Sequence, residues 1–284
     1  MVPASVMPAV FVLLWSTGFI GAKFGLPYAE PLTFLLIRLG LVAVVLAGVA
    51  LAARAPWPKS WGQAGRIALA GLLVHGVYLS GVFSAINHGL PAGVTALIVG
   101  LQPLLTAAVA GPFLGERVSG RQWTGLLLGL AGVALVVWEK IRFDAGHVTG
   151  LLLALMALLG ITLGTVYQKR HGTGMDLRSG TAIQYAATAA VLAVLAPALE
   201  TMRVQWTGEF LFALAWLSGV LSVGAIFLLF LLIRRGAAAR VASLFYLTPP
   251  VTALIAWGLF GEQLGVPALV GMAVAAGGVA LVNR

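Results

Sequence analysis

Few residues in this chain could do chemistry, and those that could are polar groups set inside apolar runs. His75 sits near the middle of one run with Tyr78 three residues on, a spacing that puts both on one side of a helix. Gln102 and Pro103 interrupt a second run, Thr248, Pro249 and Pro250 interrupt a third that also holds Tyr246, and Trp15 lies within the first run of the chain. None of this makes a reaction centre. His75, His88, His147 and His171 lack metal-ligand spacing, there are no cysteines, no Ser/His/Asp set is evident and no phosphate-binding glycine loop occurs. The expectation is therefore a non-enzyme with no cofactor and no metal. What the residues can do is bind reversibly. An imidazole, a phenol, an amide and a hydroxyl offer hydrogen bonds, and a proline inside a helix frees a carbonyl one turn earlier.

The elements that hold them follow from composition. The chain is 61% hydrophobic and 9% charged, with mean hydropathy +1.04. A soluble fold cannot hide that much apolar surface. A soluble helical bundle is excluded because the polar helix faces it needs are missing. The formal charge of +9 does not indicate a nucleic-acid partner, since the basic residues are scattered through short loops and form no stripe. Crossing a bilayer takes about 20 residues, and apolar runs of that length recur. They fall at 5–25, 31–53, 66–87, 93–114, 121–139, 148–168, 178–199, 209–233, 240–260 and 264–282. The expected fold is an all-α polytopic membrane protein of ten transmembrane helices, a single membrane domain over 1–284. The first run has no basic segment before it and reads as a retained helix rather than a signal peptide.

Lys and Arg set the orientation. With the N-terminus inside, 12 fall on the cytoplasmic side and 4 on the other, while Arg38 lies within the second span. Both termini are expected in the cytoplasm of a cell membrane, the inner membrane in a bacterium.

Comparing the chain with itself is more informative. "LQPLLTAAVAGPFLGE" (101–116) aligns without gaps to "LTPPVTALIAWGLFGE" (247–262), and "GVALV" at 132–136 recurs at 278–282. The offset is 146 residues throughout, and it also pairs Gly18 with Gly164 and Lys23 with Lys169. Residues 1–146 and 147–284 thus read as two five-helix repeats. Five is odd, so the second copy enters the membrane from the other side and the repeats are inverted around a central cavity, an arrangement that places substrate near the midplane. Pro103 and Pro249 become equivalent mid-membrane hinges, with Pro250 reinforcing the second. Each break is preceded by a hydrogen-bonding side chain, Gln102 or Thr248. Gly224 is the counterpart of Tyr78 and leaves space where the first repeat has a ring.

The eight acids fall at span ends or in loops. Intramembrane carboxylates usually serve as proton relays or as counter-ions to cationic drugs, so a carboxylate-driven antiporter is disfavoured. Glu116 and Glu262 are expected to cap the helices that follow them or to pair with loop bases. Trp57, Trp61, Trp123 and Trp138 belong to an interfacial belt, and the glycines of "GPFLG" (111–115) and "GLLLG" (125–129) to close helix packing. Gln168 beside Lys169 reads as a snorkelling boundary. Arg38, costly within a span unless paired or hydrated, is placed outside the substrate site.

Two inverted halves, each with a "P…GE" helix end, together with "WSTGF" (15–19) and an arginine in the second span, resemble EamA-type members of the drug/metabolite transporter superfamily. The resemblance covers essentially the whole chain, and is strongest to YddG-type exporters of aromatic and other amino acids. It implies a basket of ten helices opening alternately to each side. The substrate-binding candidates are His75, Tyr78, Gln102, Tyr246, Thr248, Trp15 and Gly224. The implied function is export of amino acids, aromatic and other neutral ones favoured, and of related small metabolites. Export of other metabolites or drugs, or a non-transporting membrane enzyme or scaffold, is the alternative. The partners expected are the solute and the lipid bilayer, with no nucleic acid, and a monomer is compatible with all of this.

Overall fold

The computed structural model describes residues 6–90, 95, 98–138, 148–172, 174–236, 238–260 and 265–283. Regular structure among them is helical, apart from one isolated bridge between Ala29 and Val204. Lipid offers no partner to a backbone N–H or C=O, so a chain this apolar must satisfy both within each segment, as a helix does. In chain order the helices are α1 (Met7–Gly25), α2 (Pro31–Ala52), α3 (Trp61–Asn87), α4 (Gln102–Leu114), α5 (Gly120–Val137), α6 (Val148–His171), α7 (Leu177–Leu199) and α8 (Gly208–Arg235). Next come α9 (Ala238–Ser243), α10 (Thr248–Phe260) and α11 (Val266–Asn283). Among the described residues six of these, α2, α3, α6, α7, α8 and α11, are long and apolar enough to cross a membrane, while α4 and Met7–Gly18 are shorter apolar helices. Leu13, Val44, Leu51, Leu127, Leu152 and Val194 are exposed along their flanks. Water would penalise that apolar belt and lipid does not. The chain is a multi-pass membrane protein.

Local chemistry sets the helix ends. Pro31 opens α2, where a missing N–H costs nothing. Ser60 and Thr207 cap α3 and α8, and Ser119 with Gln122 forms a capping box on α5. Gly115, at φ 68°, closes α4 in the left-handed region, which a side chain would resist. The glycines at 111 and 115 therefore do not make the close packing expected of "GPFLG": a Cβ on Gly115 would meet nothing within 4 Å. Glu116 also differs from expectation. Its carboxylate accepts from Ala238 N at 2.9 Å and so caps α9 across the fold, because Ser119 already caps the helix that follows. Glu262 lies outside the described residues.

Asp176 caps α7, accepting from Arg178 N at 2.9 Å, and pairs with the Arg178 side chain at 2.9 Å. The Arg178 hydrogen bond holds this carboxyl below its ordinary value. A carboxyl depressed in the folded state stabilises above its unfolded pKa, and that contribution is lost as pH falls through the folded value. Arg178 is 38% exposed, so the pair itself adds little and the cap dominates. Asp176→Ala is expected to cost about 1 kcal/mol at neutral pH. Thermal melts of the two proteins should converge in acid, and a gap unchanged at low pH would rule out this account.

Packing is closest where small residues meet. On α5 and α11, Gly125, Gly129 and Gly132 lie against Gly271, Ala275 and Gly278, backbone to backbone. Gly18 and Gly21 of α1 receive Leu221 and Leu217 of α8, and Gly160 and Gly164 of α6 receive Val77 and Val74 of α3.

Two departures from α-helix were not expected. α3 widens to a π-helix over Leu72–Val77, and α8 does the same over Leu217–Ala225. A π turn carries more residues per turn than an α turn and recurs at functional sites. The two segments overlap at the 146-residue offset.

Candidate functional site

A small cleft opens where α1, α3, the turn before α4 and the 3-10 turn before α10 converge. Its walls are Trp15, Tyr78, Val82, Thr95, Val99, Gly100, Phe245, Thr248 and Pro249. Four of these, Trp15, Tyr78, Thr248 and Pro249, are candidates singled out from the sequence. Trp15 meets Phe245 edge-on with ring centroids 5.1 Å apart, and Phe11 supports both at 5.3 and 5.4 Å. Offset and edge-on contacts are the favoured aromatic geometries, so this wall is rigid.

The breaks beside the cleft explain the prolines. The chain turns at Gly100–Leu101 and restarts as α4 at Gln102, and a 3-10 turn over Leu244–Leu247 precedes the restart at Thr248. Pro103, Pro249 and Pro250 therefore occupy first turns, where no i−4 hydrogen bond is lost. They start helices rather than kinking continuous ones. Thr248 is buried and its hydroxyl has no protein partner among the described residues.

The "WSTGF" stretch joins these parts. Trp15 faces the cleft. Ser16 Oγ donates to Val12 O at 2.7 Å and reaches Thr248 O at 3.3 Å, while Thr252 Oγ1 donates back to Ser16 O at 3.2 Å. Thr17 Oγ1 accepts from Trp216 Nε1 of α8 at 3.0 Å. Gly18 then gives the room that Leu221 fills.

The other candidates sit elsewhere. His75 is buried, 4.4 Å from Tyr185 between ring centroids, and its Nε2 has no protein partner among the described residues. It does not share the cleft with Tyr78: a π turn rotates less per residue than an α turn, so residues three apart stop farther short of a full turn and face apart. Gln102 is buried; its Nε2 donates to Thr106 Oγ1 at 3.2 Å and its Oε1 is unpartnered there. Tyr246 points to α5, packed on Gly129, and Phe245 takes the place at the cleft. Gly224 faces Leu14 of α1, which a Cβ would meet at 3.6 Å, and is not among the cleft walls.

Sequence reasoning missed Phe245, Thr95 and Gly100. For Phe245 and Gly100 the available signal was a position about one turn before the two prolines; Thr95 had none. It also misread Gln168 and Lys169. Gln168 is buried and accepts from Gln184 Nε2 at 2.9 Å, and Lys169 Nζ donates to Ile233 O at 2.8 Å at the end of α8. Lysine at a helix C-terminus answers the dipole there, so it is bound rather than snorkelling.

The described acids hold the rim. Glu200 caps α2, accepting from Leu32 N and Thr33 N at 2.7 Å each, and Glu30 accepts from Thr201 N at 2.8 Å. Glu209 accepts from the Tyr28 hydroxyl, and that bond raises the phenol above its ordinary pKa.

With this geometry in place, comparison with known proteins is direct. The sequence pattern of the EamA-like transporter family matches twice, over residues 4–138 and 148–284. The chain is 29% identical to "Uncharacterized transporter YvbV" of Bacillus subtilis (strain 168), covering 97% of this chain and 90% of that one. It is 26% identical to the "Probable terminal-alkyne amino-acid exporter" of Streptantibioticus cattleyicolor, covering 96% and 91%. It is also 26% identical to the "Probable amino-acid metabolite efflux pump" of Escherichia coli (strain K12), over 58% of this chain and 53% of that one. A solved crystal structure shares the fold at TM-score 0.82 and 22% identity, covering 97% of this chain and 94% of the other. The chain belongs to the EamA-like transporter family.

Proposed function

We propose that this transporter exports amino acids, aromatic and other neutral ones favoured, and related small metabolites, by alternating access between inverted repeats 1–146 and 147–284. The observation that carries the reading is the cleft itself: an aromatic wall of Trp15, Tyr78 and Phe245 facing a helix restart with an unpartnered hydroxyl at Thr248. An amino acid has an apolar side chain at one end and a charged backbone at the other. The rings take the first, and the broken turns before α4 and α10 offer carbonyls to the ammonium group of the second. Two relatives carry amino-acid export in their names.

The repeat reading, with its ten spans, is supported by the family pattern matching once in each half. Helix restarts at Gln102 and Thr248 also fall at the 146-residue offset, and the π segments in α3 and α8 overlap at it. In an inverted pair such features face each other across the midplane, where two adaptable helices can exchange roles as the cleft opens to either side.

Flux of radiolabelled L-phenylalanine into sealed proteoliposomes containing only this chain tests the function. Uptake and counterflow are expected without a proton gradient, since the described acids serve the rim. A strict requirement for the gradient, or no amino-acid flux, would overturn the reading. Orientation has its own test. Reporter fusions at both termini should read cytoplasmic and a reporter near residue 142 external; a cytoplasmic signal at 142 would rule out inverted repeats.

A further inference from the structure

We propose that Arg38 recognises the carboxylate of the solute, so that the transport site has two parts, an aromatic cleft and a buried basic cluster, joined at Tyr78. The inference rests on the reading above that the solute is an amino acid.

Arg38 lies within α2 and is 4% exposed. A buried guanidinium is costly unless paired, and several kcal/mol per ion is the usual scale, about as much as a small domain's whole stability margin. Its only hydrogen bond among the described residues runs from Nε to Ser222 Oγ of α8, at 3.0 Å. Among the described residues it has no carboxylate partner. The donors on its terminal nitrogens, the fork that fits a carboxylate, are left uncommitted by protein groups there.

Among the described residues the surroundings supply more donors and no negative charge. The Tyr185 hydroxyl donates to Ser222 O at 2.6 Å, and His75 lies on the Tyr185 ring. His75 Nε2 and Ser218 Oγ are buried and unpartnered among the described residues. Ser218 and Ser222 belong to the π segment of α8 and His75 to that of α3, so both adaptable segments contribute to this cluster.

Tyr78 connects the two parts. It lines the cleft and directly follows the π segment that carries His75, whose ring lies on Tyr185, and Tyr185 and Arg38 both bond Ser222. A solute whose ring rests on Trp15 and Phe245 can direct its carboxylate past Tyr78 towards the guanidinium. One uncompensated positive charge matches one carboxylate and repels an organic cation. Arg38 thus sets both the preference for carboxylate solutes and the rejection of amines.

The test is calorimetric titration of the purified chain in detergent with L-phenylalanine, 3-phenylpropionate and phenethylamine. Wild type should bind the two carboxylates and not the amine. Arg38→Gln should weaken carboxylate binding about tenfold or more, the scale of a charge-assisted hydrogen bond, and admit phenethylamine. Arg38→Lys keeps the charge without the fork, and should still exclude phenethylamine while binding the carboxylates more weakly than wild type. A merely structural arginine would not shift the balance between carboxylate and amine. Equal binding of phenylalanine and phenethylamine by wild type overturns the assignment while leaving amino-acid binding intact. So does wild-type phenylalanine affinity in Arg38→Gln. If 3-phenylpropionate binds and phenylalanine does not, the amino-acid reading falls and Arg38 keeps its role. Binding of none of the three overturns both. The wild-type series decides even if Arg38→Gln does not fold.

Discussion

Tyr78→Ala should lower amino-acid flux through this transporter by about 30-fold, the equivalent of roughly 2 kcal/mol for one buried aromatic side chain. Tyr78 is 5% exposed, forms a wall of the cleft and directly follows the π segment of α3. Its backbone is fixed from behind by Gly160, whose Cβ, if present, would lie 3.0 Å from Tyr78 N. Removing the ring therefore takes away a contact surface and leaves the path of the helix unchanged. Tyr78→Phe separates the ring from the hydroxyl, and should keep most of the flux if the ring packs on the apolar end of the solute. Size-exclusion profiles of both variants should remain monodisperse. Normal flux in folded Tyr78→Ala would mean that solute does not use this cleft.

Gly132→Leu should abolish recovery of folded protein. A Cβ at Gly132 would lie 2.4 Å from Ala275 N and 2.6 Å from Gly271 O. These are backbone atoms, so no rotamer change relieves the clash and α5 must part from α11. Without a hydrophobic drive between helices in lipid, close backbone approach is what holds such a seam together. The cost exceeds the roughly 1–3 kcal/mol of ordinary overpacking. Gly277→Ala on α11 is the control, since a Cβ there meets nothing within 4 Å and alanine is the better helix former. Yield and monodispersity after detergent extraction measure both. Monodisperse Gly132→Leu at wild-type yield would show that the seam is dispensable.

Much of this protein is legible in its residues. Apolar runs of membrane length can only be helices in lipid, so the all-helical fold follows from composition and spacing. The 146-residue offset pairs Gln102–Pro103 with Thr248–Pro249, and the chain breaks at both, because proline acts on the backbone locally. Trp15, Tyr78, Thr248 and Pro249 meet at one cleft for the same reason: the breaks leave polar backbone that must face protein or a cavity.

What the sequence could not decide was rotation about each helix axis. With apolar side chains on every face, no stripe distinguishes the inside from the lipid. Neighbouring residues therefore exchanged places, Phe245 lining the cleft where Tyr246 was expected. The π segments carry no local signal either; they arise where Gly160, Gly164, Gly18 and Gly21 admit side chains from α3 and α8. They separate His75 from Tyr78 and bring Ser222 to Arg38. Tertiary packing decided which polar group meets which, because at short range in lipid a hydrogen bond or a close backbone contact is the only force that distinguishes one apolar face from another.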